Sequence, residues 1–256
     1  MPENMPYDSK VVAKEKFEEI RKLFKKLSDE MCKVVESYYI WETLVFSRAI
    51  PEVGKKTAEK NAAIMSLCKD FFVMTEHNHR EMFIIGISKF FDRDPRAVSI
   101  QQLINKIRES QDLITADFFK ENFPDRSFPE DFKDGYRPIH DEDVKLIGEL
   151  RKKHEILIGT LKTIRDKQTA HTDIEVIQDK DAVKGFIPNE VVALIEAVQE
   201  MFNKLSGRFE SSTTTWDHLK REAISHTQFL LENLERGEKV RQEEIRKEWD
   251  TPKELS

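Results

Sequence analysis

The chain predicts an all-α fold: a helical bundle with a long N-terminal helix and a charged C-terminal helical extension. Three observations carry this. Apolar residues recur three and four apart through most of the 256 residues, the period of one helix face. Glycine and proline number only 8 and 9, which excludes collagen-like, low-complexity and turn-rich β-sandwich chains. No βαβ alternation, Gly-rich phosphate loop or nucleophile elbow interrupts the pattern.

The first helix follows from Phe17, Ile20, Phe24, Leu27, Met31, Val34, Tyr38, Trp41 and Val45, which make one apolar stripe, with Lys14, Glu18, Arg21, Lys25 and Glu30 on the other face. Pro51 and Gly54 end it. A helix of about 40 residues spans about 60 Å, so part of its stripe is expected to overhang its own domain and meet a partner.

A second helical region is expected from Lys56 to Asp92. Ile64, Leu67, Phe71 and Met74 start its stripe, Phe83, Ile87, Phe90 and Phe91 continue it, and a kink or a register change is expected in the polar stretch from Glu76 to Glu81. Ser99 with Gln102 reads as a capping box opening a short helix through Ile104 and Ile107. The stretch from Asn122 to Pro138 holds three prolines and a glycine and reads as a loop.

Helical periodicity returns from His140 through Ile147, Leu150, His154, Leu157, Leu161, Ile164, Gln168 and His171. An irregular link follows from Asp173 to Ile187. Val191, Leu194, Ile195, Val198, Phe202 and Leu205 mark the next helix, which Ser206-Gly207 should stop. The last begins near Thr213 and carries Trp216, Leu219, Ala223, Leu230 and Leu234; past Gly237 the chain is mostly charged and reads as a solvated extension or a frayed tail. The expected division is residues 1–54 as the long helix, 55–235 as the helical domain, and 236–256 as the charged tail.

The whole chain is polar, with a mean hydropathy of −0.59, yet its 17 Phe and 3 Trp exceed what disordered chains carry. The net charge of −6 argues against a surface coated for nucleic acid, but not against a local basic site. The N-terminus has no apolar h-region, and the longest apolar run, around Phe83 to Ile87, falls far short of the roughly 18 residues of a membrane span. No secretory signal and no membrane partner are therefore expected. Cys32 and Cys68 lack metal or redox spacing and read as buried free thiols of a reducing compartment, most simply the cytoplasm.

The stretch that carries chemistry is Arg165-Asp166-Lys167-Gln168-Thr169-Ala170-His171-Thr172-Asp173. Arginine presents a planar fork of donors to phosphate oxygens, and histidine moves protons near neutral pH. Strand cleavage by a 2′-hydroxyl needs a proton acceptor, a proton donor and charge stabilisation, and no metal. Asp166 is placed to hold Arg165 or a histidine, and Lys167 adds positive charge. From Lys145 to His171, seven Lys and Arg stand against three Asp and Glu, which suits an anionic substrate. On an ideal helix, however, Arg165 and His171 point about 120° apart. Spacing alone therefore also fits a core histidine at His171 and a solvated helix-end arginine at Arg165.

The Arg165-Asp166-Lys167 and Ala170-His171-Thr172-Asp173 pattern resembles the signature of HEPN proteins, and its flanking residues resemble the abortive-infection, AbiU-type branch. The stretch from Phe90-Phe91-Asp92 through Arg96 to Ile104, an aspartate turn leading to a Ser-capped helix, is similar to the same branch. The resemblance covers about residues 55 to 235. It implies a helical bundle that dimerises and brings two motifs into a cleft, in a superfamily where many members are metal-independent endoribonucleases of phage defence or toxin–antitoxin systems. Carried over, Arg165 contacts phosphate, His171 transfers protons, Asp166 is the polar residue after the arginine, and Lys167 and Asp173 bind substrate. RNA, a second copy of the chain and an antitoxin protein are the implied partners, with no cofactor.

Two rival readings remain at this point. One is a non-catalytic HEPN-like module that binds nucleotide, RNA or a partner protein. The other is a purely structural helical assembly built on the stripe from Phe17 to Val45. Elsewhere, His77, His79 and Glu81 suggest a metal site only weakly, since i, i+2 histidines diverge on a helix, and no metal is expected. His154 and His226 read as core or seam residues, and the Phe83 to Phe91 cluster as core.

Overall fold

The computed structural model describes residues 7–94, 96–123, 138–166, 185–210 and 213–250. Among them the regular elements are helices: α1 (Tyr7–Phe46), α2 (Ile50–Val53), α3 (Lys55–Leu67), α4 (Lys69–Phe90), α5 (Ile100–Ser110), α6 (Ala116–Asn122), α7 (Asp141–Lys153), α8 (Glu155–Ile164), α9 (Pro188–Glu210) and α10 (Asp217–Asp250). The protein is all-α. The expected loop from Asn122 to Pro138 and link from Asp173 to Ile187 lie mostly outside the described residues.

The chain divides into two compact units, each made of two separate stretches: Met1–Val34 with Phe83–Trp216, and Val35–Met82 with Asp217–Ser256. Helix α1 contributes its first part to one unit and its second part to the other.

In the first unit, Ala13, Phe17, Ile20, Phe24, Leu27, Met31 and Val34 of α1 are all buried, as the stripe requires. Phe17 is the hub of an aromatic cluster, with ring centroids 5.0 to 5.4 Å from those of Phe118, Phe119, Phe123 and Phe209. Phe24 packs on Phe202 and Phe209. Burying side chains of this size contributes about 1.5–3 kcal/mol each. Helix α5 starts as expected: Ser99 accepts the Gln102 backbone N–H at 3.4 Å, and Leu103, Ile104 and Ile107 are buried. Thr115 caps α6 in the same way.

Helix α9 runs through Ser206-Gly207, where a stop was expected, and reaches Glu210. The continuation buries Phe209 fully and brings Arg208 onto the buried Asp143 of α7. These gains outweigh the roughly 1 kcal/mol that a mid-helix glycine costs. Asp143 also accepts the His140 backbone N–H at 2.9 Å and lies 3.6 Å from Lys204, so it caps α7 and ties it to α9.

In the second unit, Leu44, Met65, Phe72 and Leu231 form a buried cluster, with Ile40 and Leu234 packed against it. Helix α3 lies on α10, and Lys60 pairs with Glu235 at 2.8 Å. Gly54, at φ 78°, makes the turn between α2 and α3 in a region that L side chains avoid. The helix expected from Lys56 to Asp92 breaks at Cys68, with φ −127° and ψ 49°, and passes unbroken through residues 76–81 where the kink was expected. Phe72 is buried after the break while Phe71 and Met74 are exposed, as is Leu67 before it, against the expected stripe. Cys68 is exposed and Cys32 half-buried, so the expectation of two buried thiols fails; neither forms a disulfide among the described residues.

Helix α10 persists to Asp250 past Gly237. Its exposed end is held by pairs one turn apart: Lys239 to Glu235 at 2.7 Å, Arg241 to Glu238 at 2.7 Å, and Gln242 to Glu238 at 2.9 Å. Glu235 sits between Lys239 and Lys60, whose hydrogen bonds, and then charges, hold its carboxyl down to about 2. No helix among the described residues is long and apolar enough to cross a membrane.

Candidate functional site

The helix expected from His140 onward is two helices. It breaks at His154, with φ −107° and ψ 17°, between the Arg151-Lys152-Lys153 end of α7 and Glu155 at the start of α8. Cations suit the negative end of one helix and a carboxylate the positive start of the next. His154 is buried in the break, its Nε2 without a hydrogen-bond partner among the described residues.

Helix α8 is anchored by Leu157, Ile158, Leu161 and Ile164, all buried. Glu155, Gly159 and Lys162 then fall on the open side, and the helix passes into a π-type turn at Arg165 and Asp166. Such turns widen the helix and re-aim side chains. Arg165 keeps helical angles, φ −55° and ψ −52°, and its side chain is only partly exposed. Its Nε and Nη2 both meet Asp166 Oδ1 at 2.7 Å, the hold expected of Asp166.

A second carboxylate, which sequence reasoning missed as a partner, faces Arg165 from the turn after α4. Asp92 Oδ2 lies 3.6 Å from Arg165 Nη1. Its Oδ1 accepts the Asp94 backbone N–H at 3.0 Å, which fixes the turn. The signal was present in the aspartate turn from Phe91 to Asp94, but nothing local ties that turn to Arg165.

Beside Arg165 opens a pocket of about 230 Å³. Ser88 lines it from the end of α4, Asp92 and Arg93 from the turn after it, Arg151 from α7, and Glu155, Gly159, Lys162 and Arg165 from α8 and its last turn. Among the described residues, four cations thus face two carboxylates, in a chain whose net charge is −6. Arg151 donates to the Phe91 carbonyl at 3.3 Å. Burial, and then the Arg93 charge, lower its affinity for its proton below the ordinary arginine value, while Glu155 opposes this. A concave site with surplus positive charge and guanidinium donors suits a phosphate.

The structure therefore brings together Arg165 and Asp166 of the expected site. His171, Lys167 and Asp173 lie outside the described residues. Of the other candidates, His77 Nε2 pairs with Glu81 at 3.1 Å, and His79 is half-buried with Nδ1 unpartnered among the described residues. No group of three His, Cys, Asp or Glu among the described residues is placed to hold a metal ion. His154 and the cluster from Phe83 to Phe91 are core, as expected, while His226 is exposed rather than core.

An all-α chain with an Arg-Asp pair closing a helix beside a cationic pocket fits a HEPN-like helical bundle. The AbiU2 family of HEPN proteins matches residues 15–230, and the chain belongs to that family, which makes it an abortive-infection HEPN-like protein. No curated protein and no solved structure is similar enough to match it.

Proposed function

We propose that this protein is a metal-independent endoribonuclease of the phage-defence or toxin type, acting in the cytoplasm as a homodimer with the Arg165 motif at a dimer cleft. One observation carries the reading: Arg165 stands at a cationic pocket, oriented by the carboxylates of Asp92 and Asp166. Its guanidinium meets the scissile phosphate. A 2′-hydroxyl attacks the adjacent phosphorus, His171 takes up its proton, and the P–O5′ bond breaks as a proton passes to the leaving oxygen. The products are a 2′,3′-cyclic phosphate and a 5′-hydroxyl end. Lys167 and Asp173 contact the strand, and an antitoxin protein silences the site by covering it.

The experiment is cleavage of several RNA classes by purified protein with chelator present, wild type beside Arg165→Ala and His171→Ala. Cleavage by the wild type only, with cyclic phosphate ends, is the expected result. Equal cleavage by the variants overturns the assignment of the site.

A second reading is a non-catalytic module that binds nucleotide, RNA or a partner protein. It draws on the same pair of carboxylates, which neutralise Arg165 and so favour holding over reacting. Under it, RNA binds with salt-dependent affinity and stays whole.

A further inference from the structure

The pocket beside Arg165 is larger than one arginine–phosphate contact needs, and its chemistry is unused by Arg165, Asp166 and His171. At about 230 Å³ it has the volume of about eight waters, at about 30 Å³ each. Arg93 is exposed and makes no ion pair among the described residues, and neither does Lys162. Arg151 is held by the Phe91 carbonyl, with Arg93 close enough to disfavour its charge. Ser88 lines the same pocket; it is 5% exposed, and its Oγ has no hydrogen-bond partner among the described residues. A buried hydroxyl left unsatisfied is costly, and a bound acceptor oxygen recovers that cost. Asp92 and Glu155 also face the pocket, and Asp92 is already engaged by Arg165 and the Asp94 backbone.

We infer that Arg93, Arg151 and Lys162, over the Ser88 hydroxyl, form a second phosphate subsite that takes a backbone phosphate of the RNA strand neighbouring the one Arg165 meets. The inference rests on reading RNA as the ligand and names the residues that place the strand. Arg151 supplies a fixed guanidinium, Arg93 and Lys162 close on the phosphate from the exposed side, and Ser88 donates to one of its oxygens. These are positioning residues: they act on where the strand lies.

Gly159 makes the test clean. It is exposed, lines the pocket, and a Cβ built on it meets nothing within 4 Å. Gly159→Glu and Gly159→Lys both gain helix propensity and place opposite charges at the pocket. The probe is a short 2′-O-methyl RNA oligonucleotide, which cannot be cleaved by its own 2′-oxygen. Its binding is followed by fluorescence anisotropy across a salt series, with Lys69→Glu as a charge control outside the pocket.

The expected result is binding by the wild type, weakened about tenfold or more by Arg93→Gln and by Gly159→Glu and tightened by Gly159→Lys. Arg93→Gln should also lower the salt slope by about 0.7, one contact for a single strand. Ser88→Ala should weaken binding with no loss of thermal stability, because its hydroxyl has no partner to lose. Equal affinity in the wild type, Arg93→Gln and both Gly159 variants overturns the subsite, even if the protein cleaves RNA. No binding of the oligonucleotide by the wild type overturns it as well. Charge-dependent binding with no cleavage of natural RNA upholds the subsite and removes the ribonuclease reading.

Discussion

Asp92 and Arg165, far apart in sequence, face each other at 3.6 Å, and Asp92 reaches this place because its other oxygen accepts the Asp94 backbone N–H at 3.0 Å. The carboxylate has two separable duties: it shapes the turn after α4, and it holds a guanidinium at the pocket. The two can be pulled apart by chemistry.

Asp92→Asn keeps an acceptor for the Asp94 N–H and removes the charge. The lost ion pair is partly exposed and contributes less than about 1 kcal/mol, so the melting temperature should stay within a few degrees of wild type. RNA binding should tighten, because one of two carboxylates leaves a pocket of four cations. Single-turnover cleavage should fall by roughly ten- to a hundredfold, because Arg165 is no longer aimed. Weaker binding by D92N would show instead that the carboxylate supports the strand.

His154 predicts a pH effect on stability. Its burial first, and then the Lys153 charge, lower its pKa below the ordinary histidine value, with Glu190 opposing. His79 is lowered by burial as well. The unfolded chain takes up these protons near pH 6.5 and the folded chain does so only further down, so the unfolded state binds more protons in between. Stability should be level above about pH 6.5 and fall as the pH drops below it. His154→Leu removes one of the two groups, and its Nε2 has no partner to lose. Thermal melts between pH 5 and 8 should show a shallower acid decline for the variant. An unchanged slope would show that His154 keeps its solution proton affinity in the fold.

The sequence made the helices legible wherever a stripe was long and its burial one-sided. The Phe17 to Val34 stripe is buried residue for residue, and Ser99 caps α5 as its spacing with Gln102 suggests. The breaks at Cys68 and His154 were not legible, because neither carries the glycine or proline that marks an end. Gly207 misled in the opposite sense. The local signal says stop, but the burial of Phe209 and the Arg208–Asp143 pair are tertiary and outweigh it. Phe71 and Phe72 differ by one position and have opposite fates, since neighbours on a helix point about 100° apart and Phe72 faces the buried cluster. At the site, the Arg165–Asp166 contact is between chain neighbours and could be read from their order. Asp92, Arg93 and Arg151 reach the same pocket from other helices, and such convergence leaves no periodic trace in a sequence.

A tight contact between α1 and α4 within the first unit supplies the last prediction. Gly86 of α4 sits against Val34 of α1, and a Cβ at Gly86 would overlap Val34 Cγ2. Val34 is fully buried, and its branched side chain has one favoured rotamer in a helix, so it cannot swing aside. Gly86→Ala gains about 1 kcal/mol of helix propensity. Overpacking a tight contact costs typically about 1–3 kcal/mol. The packing cost should win, with a net loss of about 1 kcal/mol and a melting temperature lower by a few degrees. Val34→Ala alone should also destabilise, by leaving a cavity. Combined, the two changes should cost less than their sum, because each relieves the defect the other creates. A G86A variant as stable as the wild type, with additive behaviour in the double variant, would show that the two helices move apart at this crossing without loss.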